Sequence, residues 1–271
     1  EHFRYQELMS ESRRDPYFRV HPVSSDRVAS VSRRAAAIST KSVPESAKDI
    51  EDLAMMKAKL VGFIGPANRV ASRYPATDQS LPAKYARAIA AYRAVDRYGQ
   101  IAVDVLIAAQ PDNPYFQELK GQILFESGRA AESVEWHRRS VEFAPQHALL
   151  KVNLARSLIA TKDDEDAKEA EGLLIDAIAL EPDNSFAWNQ LAIVYAKQDR
   201  IGDADLATAE EAYHRGDMAR AFVFARRAVD KLDRNTPNGH RADDIMALAD
   251  PRNQPRGGRR GFADVALAPQ P

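Results

Sequence analysis

Residues 185–199, SFAWNQLAIVYAKQD, set the register of the whole chain. Trp188, Leu191, Ala192 and Tyr195 follow one another at steps of three, one and three. On an α-helix those steps fall along one stripe. The large residues fill space between helices, and small Ala192 lets a partner helix come close. With Ser185 as position 1, the stripe occupies positions 4, 7, 8 and 11. Pro182, just upstream, closes the helix before it.

This pattern resembles the opening of a tetratricopeptide repeat, a helix–turn–helix unit of about 34 residues with small residues near positions 20 and 27 and proline near 32. Counting backwards from Ser185 tests the register. Pro182 becomes position 32 of the preceding unit, with Ala177 at 27, Leu174 at 24 and Ala170 at 20. Its first helix offers Leu154, Ala155 and Leu158 at 7, 8 and 11, provided that three residues are inserted. The polar run Lys162-Asp163-Asp164-Glu165-Asp166 is the expected place for them, between the two helices. One unit earlier, Pro145 is position 32, Gly121 is 8, Leu124 is 11, Gly128 is the turn glycine and Ser140 is 27. Three units in phase predict an all-α fold, a right-handed tetratricopeptide-repeat α-solenoid.

Composition agrees. The chain has 271 residues, 45% hydrophobic and 28% charged, with a net charge of −1. That suits a mainly helical protein with a continuous core. The balance argues against a general nucleic-acid binder, which carries a basic excess. With no cysteine there is no disulfide framework, thiolate zinc site or cysteine nucleophile. No apolar run approaches a membrane span. The chain opens on Glu1, not Met, without a signal-peptide pattern, and reads as a piece of something longer.

In chain order, Glu1–Glu11 suggests a short amphipathic helix, with Phe3, Leu8 and Met9 as its apolar residues. Pro16 and Pro22 then bracket an extended segment. Ser24 or Ser25 can cap a helix reaching about Ile38, with Asp26 favourable in its first turn. Thr40–Pro44 reads as a loop and Glu45–Ile64 as the next helix. Residues 68–80 read as a polar connector, and Leu81–Pro111 as a degenerate repeat built on Tyr85, Ile89 and Tyr92. Beyond Tyr195, alanines mark close-packed helices to His214 and to about Leu232, and Arg241–Ala249 is expected to cap the stack.

Two of these stretches carry a second resemblance. DPYFRVHPVSSDRV (residues 15–28) is similar to the segment that closes the peptidase domain of M48-family zinc metalloproteases. MKAKLVGFI (56–64) resembles the helix that opens the tetratricopeptide region of the periplasmic, outer-membrane quality-control members of that family. LPAKYARAIAAYRAVD and NPYFQELKGQILFESGR continue the likeness, which runs to about Asp250. It implies a domain plan of 1–43 as the end of a peptidase domain, a short helical remnant with its His-Pro loop, 44–249 as the helical repeats, and 250–271 as a tail. It also implies a periplasmic location.

The departure from that family is as informative. Its H-E-x-x-H motif places two histidine zinc ligands one helical turn apart, with the glutamate as general base. Here the histidines are His2, His21, His137, His147, His214 and His240; none precedes a glutamate and no two are four apart. The resemblance therefore implies a half without catalytic residues, zinc being held only in the parent protein and no cofactor in this chain. His21 has two readings: an imidazole approaching the zinc of the missing half, or a loop histidine bonded to backbone beside Pro22. His137 and His147 read as structural or solvent-facing.

The tail, rich in Pro, Gly and Arg, has the composition of a disordered segment; docking along a groove is the alternative. Arg256, Arg259 and Arg260 can serve an anionic lipid or nucleic acid, or stay solvated.

Stacked repeats line a concave surface with their first helices, and such surfaces take extended peptides. Positions 2, 5, 9 and 12 point there: Tyr115, Glu118, Gln122 and Phe125; Leu149, Val152, Arg156 and Ile159; Phe186, Asn189, Ile193 and Ala196. Asn153 and Asn189 can bond a peptide backbone, and Arg156 can meet a carboxylate. Glu118 and Phe186 stand where a carboxylate clamp wants cations, so capture of a free C-terminus is not expected. The expected partners are polypeptide substrates, protein partners and the parent's own peptidase domain, with peripheral membrane association left open. The alternative is a freestanding repeat adaptor with no protease domain.

Overall fold

Side chains that accept hydrogen bonds from first-turn N–H groups mark where the helices begin. Ser80, Asn113, Asp163, Asn184, Asp217 and Thr236 all do so, satisfying donors that a helix leaves free. Ser46 and Asp49 cap each other's backbone N–H reciprocally. The computed structural model describes residues 24–37, 46–94 and 98–253. The expected helix at Glu1–Glu11, the extended segment carrying His21, the Thr40–Pro44 loop and the tail from residue 254 lie outside the described residues.

The chain divides into two compact units, Glu1–Asp52 and Leu53–Pro271. The first contains α1 (Ser24–Ala37) and the start of α2 (Ala47–Ile64). The second contains the remainder of α2, then α3 (Ala67–Arg73), α4 (Leu81–Arg93), α5 (Tyr98–Ala109), α6 (Pro114–Glu126), α7 (Ala130–Phe143), α8 (Ala148–Thr161), α9 (Asp164–Leu180), α10 (Ser185–Lys197), α11 (Ile201–His214), α12 (Met218–Val229) and α13 (Pro237–Ala249). No strand occurs among the described residues.

Successive helices pack in pairs, α4 on α5, α6 on α7, α8 on α9, α10 on α11 and α12 on α13, and each pair stacks on the next. The first helices α6, α8 and α10 also touch in series. The small residues of the repeat register lie at these contacts. Ala155, Ala170, Ala177 and Ala207 are buried in one core cluster with Leu154, Leu174 and Leu191. Tyr85 and Phe116 meet edge-on at 5.1 Å in a second cluster. Alanines of α11, α12 and α13 form a third.

The turns repeat as well. Position 15 takes positive φ in three consecutive units: Gly128 (77°), Lys162 (66°) and Asp199 (58°). Only glycine enters that region without steric cost. Position 4 is also reused. Trp188 Nε1 donates to the Pro182 carbonyl at 2.9 Å, and Gln117 Nε2 donates to the Pro111 carbonyl at 2.6 Å. Each bond ties a first helix to the proline ending the unit before.

Two expectations are corrected. The three extra residues do not loop out between helices: the connection is only Lys162-Asp163, and α9 lengthens to 17 residues against 14 in α7 and α11. Asp164, Glu165 and Asp166 fill its first turn, where the helix dipole favours negative charge. Within the polar connector, residues 67–73 form a helix that buries Val70.

Candidate functional site

The first helices α6, α8 and α10 carry the residues proposed to meet a ligand. At position 2, Tyr115, Leu149 and Phe186 are exposed, Phe186 by 45%. At position 9, Gln122 and Arg156 are half-buried and Ile193 is exposed. Position 5 differs from expectation: Glu118 is 4% exposed and Val152 is fully buried, while Asn189 is half-buried. At position 12, Phe125 is half-buried, Ile159 is buried and Ala196 is exposed. Position 5 sits at the seam between neighbouring first helices, because Asn153 on α8 donates its amide to Glu118 on α6 at 3.3 Å.

Glu118 has a second partner that sequence reasoning missed. Lys59, on α2, places Nζ 3.2 Å from Glu118 Oε2 and 5.0 Å from the centre of the Tyr115 ring. His147 meets the same ring edge-on at 6.1 Å. Lys59 and Glu118 stand 59 residues apart, so no local spacing announces the pair.

At the centre of the face is Arg156. Its guanidinium carbon is 4.7 Å from the Phe125 ring centre on α6 and 5.4 Å from that of Phe186 on α10. Two cation–π contacts thus link three consecutive first helices. Arg156 makes no hydrogen bond or ion pair among the described residues. Gln122 donates to Glu126 at 3.0 Å, and the Tyr92 hydroxyl donates to the same carboxylate. Burial and then the neighbouring Glu126 hold the Tyr92 phenol well above its usual titration range. Asn189 accepts from Gln190 at 3.1 Å; its own amide N–H groups bond to nothing among the described residues.

Behind the face lies a buried polar cluster. His137, 3% exposed, places Nδ1 2.8 Å from Ser157 Oγ, which lies 2.8 Å from Ser133 Oγ. Burial, then the charge on Arg156, pushes the imidazole down to about 4, against the opposing pull of the Glu118 carbonyl. His137 is therefore neutral and structural. His21 lies outside the described residues. Among those described, no three His, Asp or Glu side chains are grouped to hold a metal ion.

A cleft of about 380 Å³ opens among α9, α10, α11 and α13, with Trp188, Leu191 and Tyr195 in its lining. Its charged walls pair within themselves: Arg200 with Glu171 at 2.7 Å, Arg241 with Glu210 at 2.6 Å. Asn238 likewise donates to Asp203 at 2.8 Å, and Trp188 to the Pro182 carbonyl at 2.9 Å.

The comparisons with known proteins agree with this architecture. A sequence profile of the tetratricopeptide repeat matches residues 173–209, from mid-α9 into α11. The fold is the tetratricopeptide α-solenoid. Among solved structures, YrrB, described as a tetratricopeptide protein with an unusual peptide-binding site, is 13% identical; the match covers 64% of this chain and 90% of that one, with a TM-score of 0.50. MamA is 18% identical over 60% of this chain and 91% of its own, with a TM-score of 0.47. MamA from Desulfovibrio magneticus RS-1 is 14% identical over 66% and 97%, with a TM-score of 0.46. At 13% identity the likeness to YrrB is one of fold. No curated protein matches the sequence.

Proposed function

We propose that this chain is the noncatalytic protein-interaction region of an M48-type zinc metalloendopeptidase, acting in the periplasm. Its first-helix face binds polypeptide substrates or partner proteins and presents them to the parent's peptidase domain. The observation that carries the binding part is that face itself. Tyr115, Leu149, Phe186 and Ile193 leave apolar surface exposed there, around an unpaired guanidinium and an unpaired amide. Exposed apolar surface rimmed by polar groups is the usual mark of a protein-binding site, and stacked helical repeats present such surfaces to extended chains.

The protease part is supported by residues 15–28 and 56–64, neither of which fits the repeat register. A freestanding adaptor needs neither. In this reading zinc belongs to the parent's H-E-x-x-H half, and the residues of this chain bind and orient polypeptide only. The test is the encoded sequence upstream of Glu1. An H-E-x-x-H helix followed by a glutamate ligand supports the proposal. Further repeats upstream, or a signal peptide leading straight into Glu1, overturn it in favour of the adaptor.

A further inference from the structure

We infer that the first-helix face selects extended segments carrying an internal Asp or Glu flanked by apolar residues, with the carboxylate seated on Arg156. This inference rests on the reading of that face as a polypeptide-binding surface.

Charge complementarity points to the occupant. Lys59 of α2 is held by Glu118, and the cations of the three first helices other than Arg156 are already engaged, Lys120 with Asp104, Lys151 with Asp176 and Lys197 with the Ile159 carbonyl. Arg156 is not. Its contacts with Phe125 and Phe186 hold the guanidinium in place, yet they satisfy none of its five N–H donors. A planar, pre-ordered guanidinium is matched best by a carboxylate, which it can bond twice. Glu118 does not compete, since it is buried and already held by Lys59 and Asn153.

The surroundings favour a side-chain carboxylate over a chain terminus. A terminal carboxylate calls for several donors at one point, whereas Arg156 is flanked by two phenyl rings, which offer none. The same face also exposes apolar Leu149 on α8 and Ile193 on α10. A chain that runs on past the anchor uses both. Asn189, with unbonded amide N–H groups, supplies a donor for a backbone carbonyl along the way.

The test uses the full chain and three labelled peptides of alternating Leu and Ser. One has a central Glu and blocked ends. The second has Gln in its place. The third has Gln and a free C-terminal carboxylate. Fluorescence anisotropy at low salt is expected to show the Glu peptide binding about tenfold more tightly than the Gln peptide. Arg156→Gln should erase that difference, and Arg156→Lys should keep part of it, with helical circular dichroism confirming that each variant is folded. Raising the salt should narrow the gap. Equal binding of the Glu and Gln peptides, both weakened by Phe125→Ala, overturns the inference and leaves the binding face intact. A third peptide binding more tightly than the first overturns the choice of an internal carboxylate. No binding by any peptide, or binding indifferent to Phe125→Ala, removes the polypeptide-binding reading and this inference with it.

Discussion

Replacing Gly121 with alanine should break the contact between α6 and α7 by a route whose size can be worked out. A Cβ at Gly121 would lie 2.4 Å from His137 Cδ2, 2.6 Å from Nε2 and 2.8 Å from Cγ. Carbon atoms in contact prefer about 3.5–4.0 Å, so the ring must retreat by roughly 1 Å. It is not free to do so, because Nδ1 is tied to Ser157 at 2.8 Å and Ser157 to Ser133. Overpacking costs about 1–3 kcal/mol, and stranding a buried donor or acceptor costs about 1–3 kcal/mol. Against this, alanine is better than glycine inside a helix by about 1 kcal/mol. The net expectation is a loss of about 1–5 kcal/mol, read as a lower urea midpoint by helical circular dichroism. The mechanism is specific to the ring. In a His137→Ala background the same Gly121→Ala change should cost nothing and should recover up to about 1 kcal/mol through helix propensity. Gly121→Ala as stable as the parent protein, or equally costly without the imidazole, would show that the ring does not set the cost.

Other consequences follow from the same geometry. His137 has an ordinary value of 6.5 and is held near 4 when folded. As pH falls below 6.5 the unfolded chain takes up a proton that the folded chain refuses, so stability should drop by about 2 kcal/mol at pH 5 and about 3 kcal/mol at pH 4; His137→Ala should lose this part of the acid sensitivity in pH-dependent urea melts. Lys162 bears a side chain at a left-handed position that Gly128 fills two helices earlier. Lys162→Gly should stabilise by about 1 kcal/mol, whereas Asp199→Gly should gain less, since aspartate tolerates that region better; a destabilised Lys162→Gly would contradict this. Lys59→Met should leave Glu118 buried with only Asn153 beside it and cost about 3 kcal/mol, with the paired change Glu118→Gln restoring much of the loss in a double-mutant cycle.

The sequence made the repeats legible because three kinds of residue recur at fixed offsets. Prolines at 145 and 182 and the tryptophan at 188 set the register, and small residues mark the close approaches, from Ala155 and Ala170 to Ala207. Helices α6 to α8, α10 and α11 follow from that register, and so does α9 apart from its first turn. Three features were hidden for physical reasons. The acidic run at 164–166 looks like loop by composition, yet a helix N-terminus stabilises the same charges. Residues 67–73 contain too few apolar residues to announce α3, whose fixing depends on a single buried Val70. The seam position of Glu118 depends on how closely α8 approaches α6 and on Lys59 from outside the repeats, neither of which is written in local spacing. Position alone puts Phe125, Arg156 and Phe186 on the binding face; the contact of the guanidinium with both rings depends on the packing of three helices.

The most direct test of the account places a photo-crosslinking residue on the full chain at Phe186, on the first-helix face, and separately at Lys168, an exposed position on α9 whose side chain is 67% accessible. Each variant is irradiated with a labelled, permanently unfolded, carbamidomethylated polypeptide. Strong crosslinking is expected from position 186, lost on competition with excess unlabelled polypeptide, and little from position 168. Equal labelling at both positions, or labelling confined to 168, would contradict it.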